Sequence, residues 1–335
     1  MHDDFPKGGS YTSNLGAHRW DGSDFYPRLI SRHGRPMKYA LYPGCAAQGA
    51  TPELYQSTRA IIGRLGIEVV ELAAAACCGA GVVTEAHPDM ALALNARTFA
   101  QAEAFGLDVM TICGTCQGVM SAANRRLKTE AGTLDRINAL LAPEGLAYHG
   151  HVQVKHLLWI VVRDIGLARL GALVSVPMRD FHIAPFYGCY ILRPSWDLGF
   201  DDPENPQSLE RVIKAVGGEP VAYAGRTKCC GFPIILEKEA IAVAMAGTHM
   251  KEAREQGADF MVTPCPLCHM SLDIYQDRAG RAVNRDLNLP ILHVPQLLGL
   301  AMGLPAKDLG LSHHVISVDS ILATLERRRT HPQPS

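Results

Sequence analysis

The chain has 335 residues, 47% of them hydrophobic, and a formal net charge of −1 with both signs scattered along it. This length predicts about two domains with a substantial core, and the charge pattern excludes a basic nucleic-acid-binding tract and an acidic disordered tail. The N-terminus has no apolar signal-peptide segment, and the most apolar long stretch, residues 156–178, contains charged side chains. We therefore predict a soluble, cytoplasmic protein.

The first half of the chain alternates apolar runs with segments of helical periodicity. Residues 1–36 are polar and rich in Gly, Ser, His and Arg, which predicts an N-terminal arm without a core of its own. After the arm, the pattern predicts strands over 38–42, 67–72 and 108–112, and helices over 52–65, 88–105 and 119–128. Each predicted strand leads directly into cysteines.

The second half repeats this order. Strands are predicted over 181–187, 220–223 and 260–263, and helices over 207–216 and 237–255. An insertion, visible at 193–205, separates the first cysteine of this half from the rest. Both halves end in a related apolar segment, because residues 154–158 resemble residues 294–298, and we predict a helix at each.

All ten cysteines belong to two copies of one pattern. Each copy has a single cysteine, then Cys-Cys-Gly, then Cys-x-x-Cys, and the last four cysteines of the two copies are offset by 152 residues, as in Cys113 and Cys265. We predict a duplicated α/β protein with modules at 37–178 and 179–335, each with a small, mostly parallel sheet flanked by helices. Since the carboxyl ends of parallel strands share one edge, each half should gather its five cysteines at one point.

Five converging cysteines leave more than one metal chemistry open. A structural zinc takes four ligands in a tetrahedron, commonly from two Cys-x-x-Cys motifs, and a lone cysteine with an adjacent pair matches that poorly. Adjacent cysteines bind different irons of a cluster more easily, and the fifth cysteine then implies either unusual ligation or a reactive thiol. Zinc in a scaffold and direct thiol–disulfide exchange by Cys-x-x-Cys remain the alternatives.

Several common redox motifs are absent from the sequence. The chain has no bacterial ferredoxin run of cysteines, no Gly-x-Gly-x-x-Gly after a strand and no phosphate-binding loop. If the protein does redox chemistry, electrons must therefore come from, or go to, another protein.

With these two cysteine units, residues 38–302 resemble the cysteine-rich family typified by the B subunit of heterodisulfide reductase. The resemblance includes the opening Lys-Tyr-Ala-Leu-Tyr-Pro-Gly-Cys at 38–45, the Cys-Cys-Gly-Phe-Pro at 229–233, the Cys-Pro-Leu-Cys-His at 265–269 and the ending at 296–300. It implies two Rossmann-like halves related by pseudo-two-fold symmetry.

The resemblance also implies two non-cubane 4Fe–4S clusters. The ligands of the first would be Cys45, Cys77, Cys78, Cys113 and Cys116, and those of the second Cys189, Cys229, Cys230, Cys265 and Cys268. The implied partners are the ferredoxin-like C subunit and the flavin-containing A subunit of the same complex. The arm and the Ala-rich composition favour the bacterial sulfur-oxidation type, in which the sulfur is carried by a lipoate-binding protein.

The mechanistic hypothesis is two-electron sulfur chemistry divided into one-electron steps. A disulfide, dithiol or persulfide would lie between the clusters, and the catalytic candidates are Cys78, Cys230 and the neighbouring His269. The competing hypothesis is an electron-transfer iron–sulfur subunit of a lactate, glycolate or succinate dehydrogenase-type complex, with clusters but no sulfur substrate.

Overall fold

A computed structural model of the protein describes residues 37–330, with side chains as far as residue 327. The predicted N-terminal arm lies outside these residues. The predicted module boundary between residues 178 and 179 stays a prediction.

Eight short strands form two separate four-stranded sheets in which every pairing is parallel. The first sheet has the order β2-β1-β3-β4, and the second has the corresponding order β6-β5-β7-β8. The strands are β1 (Met37–Tyr42), β2 (Ile67–Glu71), β3 (Val109–Thr111), β4 (Val154–His156), β5 (His182–Pro185), β6 (Glu219–Pro220), β7 (Phe260–Thr263) and β8 (Ile291–His293). The predicted α/β class with two halves is confirmed.

Helices connect the strands in both halves. In the first half they are α1 (Cys45–Gly49), α2 (Pro52–Ile62), α3 (Val82–Ala86), α4 (Pro88–Ala104), α5 (Gly114–Thr129), α6 (Thr133–Leu141), α7 (Leu157–Trp159) and α8 (Leu167–Ala172). A π-helical segment, Ile160–Gly166, joins α7 to α8. In the second half they are α9 (Ser195–Leu198), α10 (Ser208–Ala215), α11 (Glu239–Glu255), α12 (Pro266–Asp273), α13 (Gln276–Ala282), α14 (Val294–Ala301) and α15 (Asp319–Thr330).

Three predicted elements differ from the structure. The helix predicted over 154–158 is wrong, because these residues form β4 and the start of α7. His156 and His293 therefore occupy equivalent places, each ending a strand and preceding a helix. The strand predicted over 220–223 begins one residue earlier and ends at Pro220, and Val221 donates the last hydrogen bond to β5, at the carbonyl of Ile183. Proline is tolerated here because β6 is an edge strand and the position of its missing N–H faces away from β5. Helix α5 begins at Gly114, five residues before the predicted start, because Gly114 and Gly118 have low helix propensity and weaken the helical pattern there.

A buried apolar cluster crosses from one half to the other. It includes Leu41 and Trp159 from the first half and Phe260 and Leu298 from the second. Helix α14 of the second half packs on α2 of the first. This burial keeps the two cysteine-bearing sheet edges in contact, because separating them would expose the shared core to water.

Candidate metal centres

Three loops of the first half bring five cysteines to one sheet edge. Cys45 follows β1 as the first residue of α1, and Cys77 and Cys78 follow β2. Cys113 follows β3 and caps α5, whose first turn contains Cys116. Because β1 lies between β2 and β3 and all three are parallel, their carboxyl ends are neighbours. We name these five cysteines the first site.

The sulfurs of the first site form close pairs. Cys45 Sγ lies 3.6 Å from Cys77 Sγ, and Cys78 Sγ lies 3.5 Å from Cys116 Sγ. The backbone N–H of Cys116 donates to Cys113 Sγ at 3.5 Å. Adjacent cysteines 77 and 78 thus each have a different second sulfur close by, as expected if they serve different atoms of a larger group.

The second half builds the same arrangement from β5, β6 and β7. We name Cys189, Cys229, Cys230, Cys265 and Cys268 the second site. As in the first site, each of the adjacent cysteines also interacts with a different second thiol, Cys229 with Cys189 and Cys230 with Cys268. The N–H of Gly231 donates to Cys229 Sγ at 3.4 Å.

A glycine precedes the first cysteine of each site and leaves room for a sulfur. A Cβ on Gly44 would lie 3.3 Å from Cys116 Sγ, and a Cβ on Gly188 would lie 2.6 Å from Cys268 Sγ. Both glycines have positive φ, at 78° and 69°, which also disfavours other residues. The shared Gly-Cys dipeptide is the feature of the sequence that marks these positions.

The two sites meet at the interface between the halves. The thiols of Cys113 in the first site and Cys265 in the second are near enough for each to shift the pKa of the other. Thr115 Oγ1, from the Cys-x-x-Cys of the first half, lies 3.3 Å from Cys265 Sγ. The N–H of Gly114 donates to the carbonyl of Pro264 at 3.2 Å. The hypothesis of a substrate between two clusters already required the two sites to lie near each other, but the cysteine spacing did not indicate the contact of Thr115 with Cys265.

Proton sharing among the thiols differs from one cysteine to the next. Hydrogen bonds from Cys45 and Cys78 lower the pKa of Cys77 to about 2. Those from Cys189 and Cys230 lower the pKa of Cys229 to about 2, and those from Cys113 and Cys268 lower the pKa of Cys265.

The other seven thiols have raised pKa values, through hydrogen bonds to neighbouring sulfurs and through burial: Cys45, Cys78, Cys113, Cys116, Cys189, Cys230 and Cys268. A cationic group bound here would release their protons.

The donor set fits a group wider than a single ion. Among the described residues, no three cysteine sulfurs lie within 4.8 Å of one another. Four sulfurs around one zinc at about 2.3 Å would all lie roughly 3.8 Å apart. The spread of the sulfurs therefore disfavours a tetrahedral zinc site, whereas an iron–sulfur cluster holds thiolates on several irons.

His269 lies in a buried polar group beside the second site. Its Nε2 is 3.0 Å from the carbonyl of Ile291, and its ring stacks on His293 with centroids 4.0 Å apart. Its Nδ1 is 3.9 Å from Glu53 Oε1, which lies 3.2 Å from His293 Nε2. Burial lowers the pKa of His269. A catalytic role for His269 stays a prediction, as do the ligand roles of the ten cysteines.

The comparisons with known proteins agree with this geometry. The cysteine-rich CCG domain family matches residues 39–121 and 183–273, just over half of the chain. The chain is 39% identical to the 8-methylmenaquinol:fumarate reductase membrane anchor subunit of Wolinella succinogenes, over 85% of this chain and 99% of that protein. It is 29% identical to the B subunit of the ferredoxin:CoB-CoM heterodisulfide reductase of Methanosarcina mazei, over 86% of this chain and 97% of that protein.

A solved structure supports the fold alone. A hypothetical protein from Helicobacter pylori superposes with a TM-score of 0.70 at 19% identity, covering 87% of this chain and 55% of that one. Within residues 37–330, no helix has the length and apolar character needed to cross a membrane. The chain belongs to the cysteine-rich CCG domain family, as the resemblance to the B subunit of heterodisulfide reductase predicted.

Proposed function

We propose that the chain is the iron–sulfur subunit of a heterodisulfide reductase-like complex that makes or breaks a sulfur–sulfur bond. Each of the two sites would hold one 4Fe–4S cluster of the non-cubane type on its five cysteines. The observation that carries the proposal is the contact of the two sites across the interface, where the Cys-x-x-Cys of the first half touches Cys265 through Thr115. Two redox groups in such contact suit a substrate that must be split into two sulfur atoms, one for each group.

The protein's own residues would shape the space between the sites. A cavity of about 10 Å³ lies there, lined by Thr115, Tyr190, Cys230 and Cys265 among others. It has room for about one water, so a disulfide would enter only as the loops separate. The iron–sulfur groups, when bound, would supply one-electron transfer and Lewis-acidic iron for sulfur. Cys78 and Cys230 are the buried cysteines of the two adjacent pairs. They would be the cluster ligands most directly involved in this chemistry.

The proposed partners follow from the chain's lack of a relay motif. Electrons would pass through a ferredoxin-like C subunit to or from a flavin-containing A subunit, and the relatives are themselves named as subunits. The proposed sulfur substrate is carried on lipoate by a binding protein, in the oxidising direction. The complex would work in the cytoplasm.

A second function is favoured by one specific observation. The relative at 39% identity, matched over 99% of its length, is named as a subunit of a quinol:fumarate reductase. In that case this chain would transfer electrons within a succinate dehydrogenase-type complex and would meet no sulfur substrate. The cysteine sites would be the same, and only the response to thiols would differ.

Metal analysis and EPR distinguish these functions. Anaerobically purified protein should contain about eight iron and eight sulfide per chain if both sites hold 4Fe–4S clusters. An EPR signal that appears on oxidation only with dihydrolipoamide or another dithiol supports sulfur chemistry. Iron without any response to thiols would support the electron-transfer function instead. Zinc without iron after anaerobic reconstitution would contradict both and leave a scaffold.

A further inference from the structure

The contact between the sites is held by the peptide that precedes Cys265. The carbonyl of Pro264 accepts the N–H of Gly114 at 3.2 Å, and His156 Nε2 lies 3.0 Å from the same oxygen. His156 Nδ1 accepts the N–H of Leu158 at 3.0 Å, so the ring proton is on Nε2, and His156 donates to Pro264. Two donors from the first half thus fix the position of a ligand candidate in the second.

Thr115 completes this junction with a side-chain contact. It is buried, and its hydroxyl lies 3.3 Å from Cys265 Sγ. A sulfur that serves as a metal ligand is a thiolate and has no proton, so the hydroxyl of Thr115 must donate. The hydrogen bond therefore links the Cys-x-x-Cys of one half to the sulfur ligand of the other half.

We propose that Thr115 is a positioning residue of the first half that sets the reduction potential of the group bound in the second site. The inference rests on the proposed function, because it requires an iron–sulfur cluster there. Hydrogen bonds to ligand sulfurs are one of the determinants of cluster potential, because they stabilise the more negative, reduced state. Thr115 acts through Cys265 and touches no substrate in this role.

The duplication makes the effect one-sided. The residue equivalent to Thr115 in the second half is Leu267, since the two Cys-x-x-Cys motifs are offset by 152 residues. A leucine side chain has no donor, so Leu267 cannot return the same bond to Cys113. Two sites built from the same pattern would therefore differ in reduction potential. The hydrogen bond from Thr115 would make the group in the second site the easier one to reduce.

The test uses Thr115→Val, which keeps the branched shape and removes the hydroxyl, with Thr115→Ser as the matched control that keeps the hydroxyl. Each is made in a chain whose first site is disabled by C77S and C78S, so that only the second site binds iron. Redox titration followed by EPR gives the midpoint potential. At a fixed ambient potential, we expect Thr115→Val to lower the ratio of reduced to oxidised cluster by roughly three- to tenfold. We expect Thr115→Ser to keep the ratio of the parent chain.

The corresponding experiment on the first site tests whether the effect of Thr115 is confined to the second site. In a chain whose second site is disabled by C229S and C230S, Thr115→Val should leave the potential of the first site unchanged. If Thr115→Val leaves the potential of the second site unchanged, or shifts both sites equally, the inference is overturned. Normal iron content in these variants would still agree with the proposed function. Protein that holds no iron in any variant, wild type included, would overturn both.

Discussion

The two cysteine sites share one sequence pattern but differ in their exposure. Cys45 and Cys77 of the first site are exposed, whereas Cys189 and Cys229, which hold the same places in the second, are half-buried. The insertion at 193–205 contacts the loop that leads to Cys229, because Arg193 from it donates to the carbonyl of Thr227, two residues before Cys229. We therefore expect the insertion to limit access to the second site and to leave the first site the more accessible of the two to a partner.

The largest expected effect comes from removing a buried member of an adjacent pair. Cys78→Ser and Cys230→Ser should each lower the iron content by about four per chain and abolish turnover. The loss of activity should exceed the roughly 10- to 100-fold that is typical when a residue merely supports a metal ligand. Iron analysis and a disulfide reduction assay with a viologen dye provide the measurements.

The two single substitutions also test whether the sites depend on each other. If each site folds around its own group, then each variant keeps the iron of the intact site. Turnover that survives either substitution would contradict the proposal that both sites take part in the reaction.

The difference in exposure should appear in the alkylation of metal-free protein. Cys77 and Cys229 both have pKa values lowered to about 2, so both are thiolates between pH 5 and 8, and their rates with iodoacetamide should hardly change across that range. Because the pKa of both is lowered in the same way, a difference between their rates reports mainly a difference in access. We expect Cys77 to react several-fold faster than Cys229, as measured by peptide mass spectrometry.

Removing the contact between the insertion and the loop before Cys229 sharpens this experiment. Arg193→Ala removes the bond to Thr227 without changing any cysteine, and it should bring the rate of Cys229 closer to that of Cys77. Equal rates in the wild type would show that the insertion does not shield the second site.

The glycines before the first cysteines provide a matched pair of smaller effects. Alanine at either position strains the backbone by about 1–3 kcal/mol, since both have positive φ. Gly188→Ala should cost more than Gly44→Ala, because its Cβ would lie 2.6 Å rather than 3.3 Å from a sulfur. Urea unfolding of the metal-free variants gives the difference, and a larger loss for Gly44→Ala would contradict it.

Local features of the sequence predicted most of the fold and the membership of both sites. Apolar runs that end at cysteines predicted the strands at 67–72 and 260–263, because strand formation and burial are read from a few neighbouring residues. The contact of Thr115 with Cys265 was not predictable, because it joins residues 150 positions apart and depends on how the halves pack. The bond between Glu53 and His293, 240 positions apart, was missed for the same reason.

The smallest expected effect concerns His269, and it depends on the same comparison of the halves. The equivalent residue in the first half is Gln117, whose Nε2 donates to the carbonyl of Val154 in β4. His269 makes the corresponding bond to Ile291 in β8. We therefore expect His269→Gln to keep the full iron content and to keep turnover within about tenfold, because glutamine can make the same bond to the strand. A larger loss of turnover with full iron would instead support the proton-donating role predicted from its place beside Cys268. His269→Leu can neither bond to the strand nor donate a proton. Its free energy of unfolding, compared with that of His269→Gln, shows how much of its effect is lost structural support.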